Sequence, residues 1–512
     1  MKFYDILTIE PTVFVRYGRK YETADSVVRL EKSGGELGVF ITSKKPLRFV
    51  RLTWNLPGLS AGAQVLGDVF ERGYGDLYWG KPEGRNLFWY AAFSDKKDTF
   101  CYGVKTGCSA ICYWQASGDE LTLVLDVQNG TRPVLLGERT LHACDIVQTE
   151  NAEGESVFTC LHRFCKIMCP IPRLAPAPVY GTNTWYYAFT GTTFELVKKD
   201  VELLDECTKG LKNRPYMVVD DGWETVNMNR CRFKKIDLWQ ANGNKFPDMK
   251  EVAGYIKDHD QKPGIWVRYL LGTNLSPRSW RMPTLLFPDN IALDPSHPEV
   301  LRYVKDLTAR IRGWGFELIK HDFSTFDVFR CYGSDYYRSK RRRKFFDRTK
   351  TTAEIILNFY KTIREAAGDA VVIGCNTVSH LSAGLFELER IGDDTSPKQW
   401  DRVVKMGVNC LAFRSFQHNA FYGCDADCVG HTGEIPWEKN KNWLELLAVS
   451  GTPLFTSIDP RLATDEIKKD LKKAYALAEK QEIVAEPKTW FDDAFPEEWI
   501  VGDKEYKFDF SR

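Results

Sequence analysis

LDPSHPEVLRYVKDLTARIRGWGFELIKHDF, from Leu293 to Phe323, is the stretch that decides the fold. HPEVLRYVKDLTARIRGWG has amphipathic helical spacing. It runs directly into a short apolar strand, FELIKHDF (316–323), which ends in Lys320, His321 and Asp322. The same alternation continues on both sides. Upstream lie the candidate strands VYGTNTWY (179–186), PYMVVDD (215–221) and KPGIWVRYL (262–270). Downstream lie AVVIGCN (370–376), FELERIGD (386–393), NAFYGCDADC (419–428) and PLFTSI (453–458). Amphipathic stretches such as FELVKKDVELLDECTKGL fill most of the intervals. This number of strands and helices, over about 280 residues, predicts a (β/α)8 TIM barrel. A doubly wound open sheet fits less well, because no GxGxxG or GxxxxGK[ST] loop follows the first strand.

Residues 1–170 have a different texture. Short alternating runs such as VRLEK, GVFITS, LRFVRLTW and LTLVLDV are separated by Gly, Asp, Asn and Pro, and predict an N-terminal β-sandwich. The proline-rich CPIPRLAPAPVYG (169–181) reads as a crossing into the barrel, which is assigned to 171–460. Residues 461–512 are expected to add a helix and a short C-terminal β segment.

Composition narrows the function. A formal net charge of +1 gives no reason to expect nucleic acid or an anionic membrane as partner. No stretch reaches the roughly 18–20 apolar residues of a membrane span. The N-terminus lacks the apolar core of a signal peptide, so a cytoplasmic location is expected. The 14 cysteines are scattered and mostly flanked by apolar residues. Cys165 with Cys169, or Cys424 with Cys428, has ligand spacing but no second Cys or His pair, so reduced thiols and no metal are expected. The run RSKRRRKFFDR (338–348) reads as a solvated face. Fifteen Trp and 22 Tyr suit the stacking of sugar C–H faces, although aromatics also fill cores.

In a TIM barrel the site lies at the C-terminal strand ends. Those ends carry Asp220, Asp221 and Trp223 on the second strand and Lys320 and Asp322 on the fourth. The fifth ends in Cys375 and Asn376, the sixth in Arg390, Asp393 and Asp394, and the seventh carries Asp425 and Asp427. Carboxylates gathered on one rim repel each other, which points to catalysis or a polyhydroxylated ligand. Glycoside hydrolysis needs two carboxyl groups flanking the scissile bond, and Asp322 and Asp393 fit that arrangement. Lys320, two residues before Asp322, points to the same side of the strand and is expected to hold it ionised.

These motifs together resemble clan D glycoside hydrolases, the α-galactosidases and α-N-acetylgalactosaminidases of glycoside hydrolase families 27 and 36. The similarity runs from about Val179 to Lys473. YGTNTWYYAFTG, YMVVDDGWE, the Leu293–Phe323 stretch, VIGCN, ERIGDDTS and CDADCVGHTGEIPWEKNKNWLELLAVSGTPLFTSIDPRL match the family's motifs in order. The resemblance implies a retaining hydrolase with Asp322 as nucleophile and Asp393 as acid/base, Asp394 being the alternative. It further implies that Asp220 and Asp221 accept sugar hydroxyls, that Trp185 forms an apolar wall, and that Lys320 bridges nucleophile and substrate. Cys375 and Asn376 would lie near the sugar 2-position, and Asp427 would serve a structural or subsite role. No cofactor is implied.

Some residues depart from the family pattern. His321 stands where the family has Trp, Arg268 where an acid is expected, and NTVSHLSAG where a Gly-rich stretch follows the fifth strand. Arg390 stands near a family-36 Trp and a family-27 Arg. Arg268 could accept an acidic or sulfated sugar, or pair with a rim aspartate. Three activities therefore stay open: hydrolysis of an α-galactoside, transglycosylation of the raffinose-synthase type, and silent carbohydrate binding, with a homo-oligomer possible for each. A metal-dependent barrel enzyme is disfavoured, since none of the eight His makes a His-rich strand end and only His321 and His418 are expected near the site.

Overall fold

The computed structural model describes residues 1–23, 27–225, 238–273, 275–282, 291–333, 343–480 and 483–511. The N-terminal region forms one eleven-stranded antiparallel sheet, consistent with the expected sandwich. Its outer strand Thr12–Arg16 alternates, burying Val13 and Val15. The central strands Leu87–Ser94 and Thr99–Val104 are buried on both faces, as their unbroken apolar runs require. Helix Val157–Met168 starts at Ser156, whose hydroxyl accepts the Thr159 amide. It closes on the sheet at Gly103, where an added Cβ would sit 2.7 Å from Met168 Sδ and 2.8 Å from Phe164.

The second sheet is parallel. In spatial order its strands are Gly423–Asp425, Leu388–Arg390, Val371–Gly374, Leu318–His321, Lys262–Val267, Tyr216–Val219, Tyr180–Asn183, Leu454–Ile458 and Cys428–His431. The two edge strands are consecutive in the chain, with only Ala426 and Asp427 between them, so the sheet curls round towards itself as a TIM-like barrel does. Helices cover it between strands. Helix Pro298–Trp314 buries Val300, Val304, Leu307 and Ile311 along one stripe and ends at Gly315, whose φ of 103° closes the last turn. Helix Thr352–Ala367 opens with a capping box between Thr351 and Glu354.

One expected strand is corrected. NAFYGCDADC does not run as a single strand over 419–428. Asn419 to Tyr422 turn, pairing starts at Gly423, and Asp427 at φ 77° breaks the ladder before Cys428–His431. Asp427 is held there by the Tyr186 hydroxyl, Thr395 and Arg390. The C-terminal residues form a helix, Asp465–Ala478, and a three-stranded antiparallel sheet, Glu486–Pro487, Glu498–Val501 and Lys504–Lys507.

Among the described residues no helix is long and apolar enough to cross a membrane. The described cysteines are free thiols, all buried except Cys331. Residues 338–342 of the basic run lie outside the described residues, while Arg343 is buried against Thr131.

Candidate active site

Strand Leu318–His321 sorts its side chains by period two. His321 points away from the barrel axis into a shell of Tyr269, Phe359, Tyr360 and Phe386. Burial there pushes its pKa down to about 3, so it is a neutral packing residue. The ladder continues through the Asp322 amide, which donates to Val267 O at 3.0 Å, and stops at Phe323, whose φ is 62°. Trp266 Nε1 donates to Asp322 Oδ2 at 3.0 Å and the Phe323 amide to Oδ1 at 2.6 Å. The carboxylate is thereby fixed in orientation by two neutral donors.

Lys320 is corrected. Its ammonium goes to Asp220 Oδ2 at 2.6 Å rather than to Asp322. Asn183 Nδ2 reaches the same oxygen at 2.7 Å. The strand period sets the side on which Lys320 points, but Asp220 on the second strand accepts its hydrogen bond, while its charge still acts on Asp322. Asp221, next in the chain, is different. Both its oxygens are buried, and no N–H group among the described residues donates to them; the Glu224 carboxyl is their hydrogen-bond partner. Burial pushes its pKa up to about 6; the Glu224 hydrogen bond pulls it down, and Asp220 and Asp322 add to the rise. Glu224 folds back beside it, accepting the Gly222 amide at 3.1 Å, and burial likewise pushes its pKa well up.

The opposite wall is shared between the barrel and the N-terminal sheet. Gly73 pairs with the sixth-strand end: its amide donates to Ile391 O at 2.8 Å and its carbonyl accepts the Asp393 amide at 2.9 Å. That contact delivers Arg72, whose guanidinium meets Asp393 Oδ1 at 2.6 Å and Cys375 O at 3.3 Å. Arg402 takes the other Asp393 oxygen at 2.6 Å. Asp394 has 41% of its side-chain surface open and is paired with Arg390 at 3.3 Å. Desolvation pushes Asp394 up, but Arg390, Arg72, Lys320 and Arg402 outweigh it and hold the carboxyl below its ordinary range. Asp322, Asp393, Asp394 and Asn376 line one cavity of about 270 Å³ together with Arg72, Tyr74, Tyr332 and Arg402.

Several expected site residues are spent elsewhere. Arg268 is locked to Asp327, Nε to Oδ2 at 2.9 Å and Nη2 to Oδ1 at 2.5 Å, with both side chains buried. Of the two alternatives for Arg268, pairing with an aspartate is the one the structure shows, and the acidic-sugar role is withdrawn. Trp223 is fully buried, its indole N–H on Trp266 O at 2.9 Å, and packs in the core rather than against the cavity. Asn376 lines the cavity but donates to Glu71 Oε2 at 2.7 Å, and Cys375 is a buried thiol pushed well above its usual pKa by burial. Asp427 Oδ2 is occupied by Tyr186, Thr395 and Arg390. Trp185 is half-buried, edge-on to Phe189. His418 lies with Val179, Leu388, Gly423 and Pro453 at the opposite, N-terminal ends of the strands.

Sequence reasoning missed Arg72, Tyr74, Arg402 and the anchoring role of Trp266. The only signal for the first two was a pair of charges, Glu71 and Arg72, between glycines in an otherwise apolar β-rich region.

No family model matches the chain. Solved structures do. An α-galactosidase from Thermus thermophilus, determined with p-nitrophenyl α-D-galactopyranoside, superposes with a TM-score of 0.62 at 17% identity, covering 97% of this chain and 96% of that one. A family GH36 α-galactosidase from Geobacillus stearothermophilus gives 0.61 at 12% identity, over 91% of this chain and 69% of its own. The α-galactosidase from Lactobacillus brevis gives 0.61 at 12% identity, over 91% and 67%. The chain thus has the fold of solved α-galactosidases, GH36 enzymes among them, along nearly its whole length.

Proposed function

We propose that this chain is a retaining glycoside hydrolase that removes a terminal α-linked galactose, or a closely related sugar, by double displacement. The observation that carries the reading is the cavity in which Asp322 stands together with the Asp393–Asp394 pair. The fold shared with α-galactosidases and the strand-end motifs support the choice of sugar. On this reading residues 171–460 are the catalytic unit, 1–170 complete its rim, and 461–512 form an appended helix and sheet.

Asp322 attacks the anomeric carbon, and the C–O bond to the leaving group breaks as the glycosyl–Asp322 ester forms. Water then attacks the anomeric carbon, giving a proton to the acid/base carboxylate, and the bond to Asp322 breaks to release the carboxylate and the sugar. The Trp266 and Phe323 donors keep the carboxylate aimed throughout. Asp394 is the freer of the acid/base pair, since both Asp393 oxygens are occupied by arginines. Its depressed pKa suits the second step, in which it takes a proton from water. The first step is then fastest with leaving oxygens that need little protonation.

Asp221, buried beside the Glu224 carboxyl and held by no N–H donor among the described residues, is the acceptor we assign to a sugar hydroxyl. Release of p-nitrophenol from its α-galactoside, but not from the β-galactoside or α-glucoside, is the expected result, and equal rates on all three would overturn the reading. For the α-galactoside, kcat/KM should fall as pH drops through about 6, where Asp221 takes up a proton and ceases to accept. Asp221→Asn should abolish that acidic limb. Because folding raises this pKa from 3.8 to about 6, its contribution to stability is complete below pH 3.8 and lost as pH rises through about 6. Asp221→Asn should therefore unfold at higher denaturant than wild type at pH 7.5, an advantage that disappears in acid.

A further inference from the structure

Where the second strand leaves the barrel, three carboxyl oxygens are buried with no N–H donor among the described residues: both of Asp221 and Oε1 of Glu224. The two residues are 1% and 3% exposed, and their side chains are hydrogen-bonded to each other. Two carboxylates only accept, so the contact requires a proton between them. We propose that Glu224 carries that proton, donates it in a hydrogen bond to Asp221, and so positions Asp221 as the acceptor of a sugar hydroxyl. The inference rests on the glycosidase reading above and deepens it.

The local sequence builds the contact. Strand Tyr216–Val219 runs into Asp220 and Asp221, and Gly222, at φ 108°, turns the chain. A Cβ at Gly222 would sit 2.7 Å from Thr190 O, so the turn takes glycine. Glu224 then folds back, with Oε2 accepting the Gly222 amide at 3.1 Å and the same carboxyl meeting Asp221. Its backbone is pinned as well. Glu224 bridges Ala241, and the Trp223 carbonyl beside it accepts the Asn242 amide at 2.8 Å.

The nearby cations are committed to other acceptors. Lys320 is on Asp220 at 2.6 Å, Arg268 is on Asp327 at 2.9 Å, and Lys245 reaches the Gly222 carbonyl at 3.3 Å. Arg268 acts on Asp221 only through its field, against the negative fields of Asp220 and Asp322. Ionising both Asp221 and Glu224 would therefore set two like charges in contact away from water. One retained proton leaves a single charge, and the Glu224 O–H anchors the Asp221 carboxylate while its remaining lone pairs stay open to a hydroxyl. Burial and the Asp221 charge push the Glu224 pKa well up, so Glu224 is the carboxyl that keeps its proton at neutral pH.

The acidic limb of kcat/KM for p-nitrophenyl α-galactoside tests the sign. In wild type it falls at about 6. Glu224→Leu removes a neutral donor from ionised Asp221, and the limb should move up by about one pH unit. Glu224→Gln keeps a neutral donor and should bring the limb back towards the wild-type position. Had both carboxyls been ionised, either substitution would remove a negative charge and send the limb to lower pH. That downward shift would overturn the shared proton, and so would a limb that stays at about 6 in Glu224→Leu. A second readout needs no turnover. Infrared difference spectra of wild type against Glu224→Gln at neutral pH should show the C=O band of one protonated carboxyl, lost in the variant; a spectrum without that band would overturn the proposal. If wild type releases no p-nitrophenol, the glycosidase reading fails, and the infrared band alone decides whether Glu224 carries the proton.

Discussion

Asp322→Gly should lose α-galactoside turnover by about 10⁴-fold or more in kcat while remaining folded. The side chain projects from a strand end into the cavity, and its two hydrogen-bond donors, Trp266 Nε1 and the Phe323 amide, are neutral groups that tolerate its loss. What disappears is the carboxylate that faces the Asp393–Asp394 pair across the proposed site, so the covalent half-reaction has no nucleophile. Sodium azide should restore turnover of an activated substrate, because a small anion can occupy the vacated volume and attack from the same side. The product expected by mass spectrometry and NMR is the β-galactosyl azide. A variant retaining activity within tenfold of wild type would remove Asp322 from the reaction.

The second large effect concerns stability. Arg268→Met should destabilise the protein by about 3–5 kcal/mol, because it strips the buried Asp327 of both its Arg268 hydrogen bonds and leaves it to the more distant Arg330 at 3.9 Å. Arg268 is 2% exposed and Asp327 0%, so water does not replace the lost hydrogen bonds, and Arg330 at 3.9 Å stands beyond hydrogen-bond distance. The double variant Arg268→Met/Asp327→Leu should recover most of the loss, since replacing a buried pair with apolar groups of similar volume is often neutral or better. Denaturant midpoints of the two single variants and the double variant, taken as a cycle, give the coupling. If Arg268→Met were fully stable but failed to bind substrate, Arg268 would be a ligand after all.

The rim itself was legible in the sequence. Apolar strands ending in Asp220-Asp221, in Asp322 and in Asp393-Asp394 can be recognised from period and position alone, because a parallel strand buried on both faces must change character where it leaves the barrel. The pairing among those charges was not legible. Lys320 was expected beside Asp322 because strand period puts both on one side, yet the ammonium bonds to Asp220 from two strands away in the sheet. Arg268 shows the same limit. Its two possible roles were both visible, and only the approach of Asp327, on the short helix after the fourth strand, decides between them.

The break at Asp427 escaped notice because CDADC alternates as a strand should. It is the inward pull of Tyr186 after the first strand, and of Arg390 and Thr395 at the end of the sixth, that ends the pairing. Arg72 was hidden for a different reason. It lies on the N-terminal side of the domain crossing, and nothing in its local sequence shows that the Gly73 backbone will pair with the sixth-strand end. The consequence is functional: the acid/base wall of the proposed site is incomplete without the N-terminal sheet.

Proton NMR of the first minutes of p-nitrophenyl α-galactoside hydrolysis by wild type tests the central proposal most directly, because the anomer released first reports the number of displacements at the anomeric carbon. Double displacement through Asp322 predicts that α-galactose appears first and then mutarotates towards the equilibrium mixture. Prompt appearance of β-galactose, or no release of galactose at all, would contradict it.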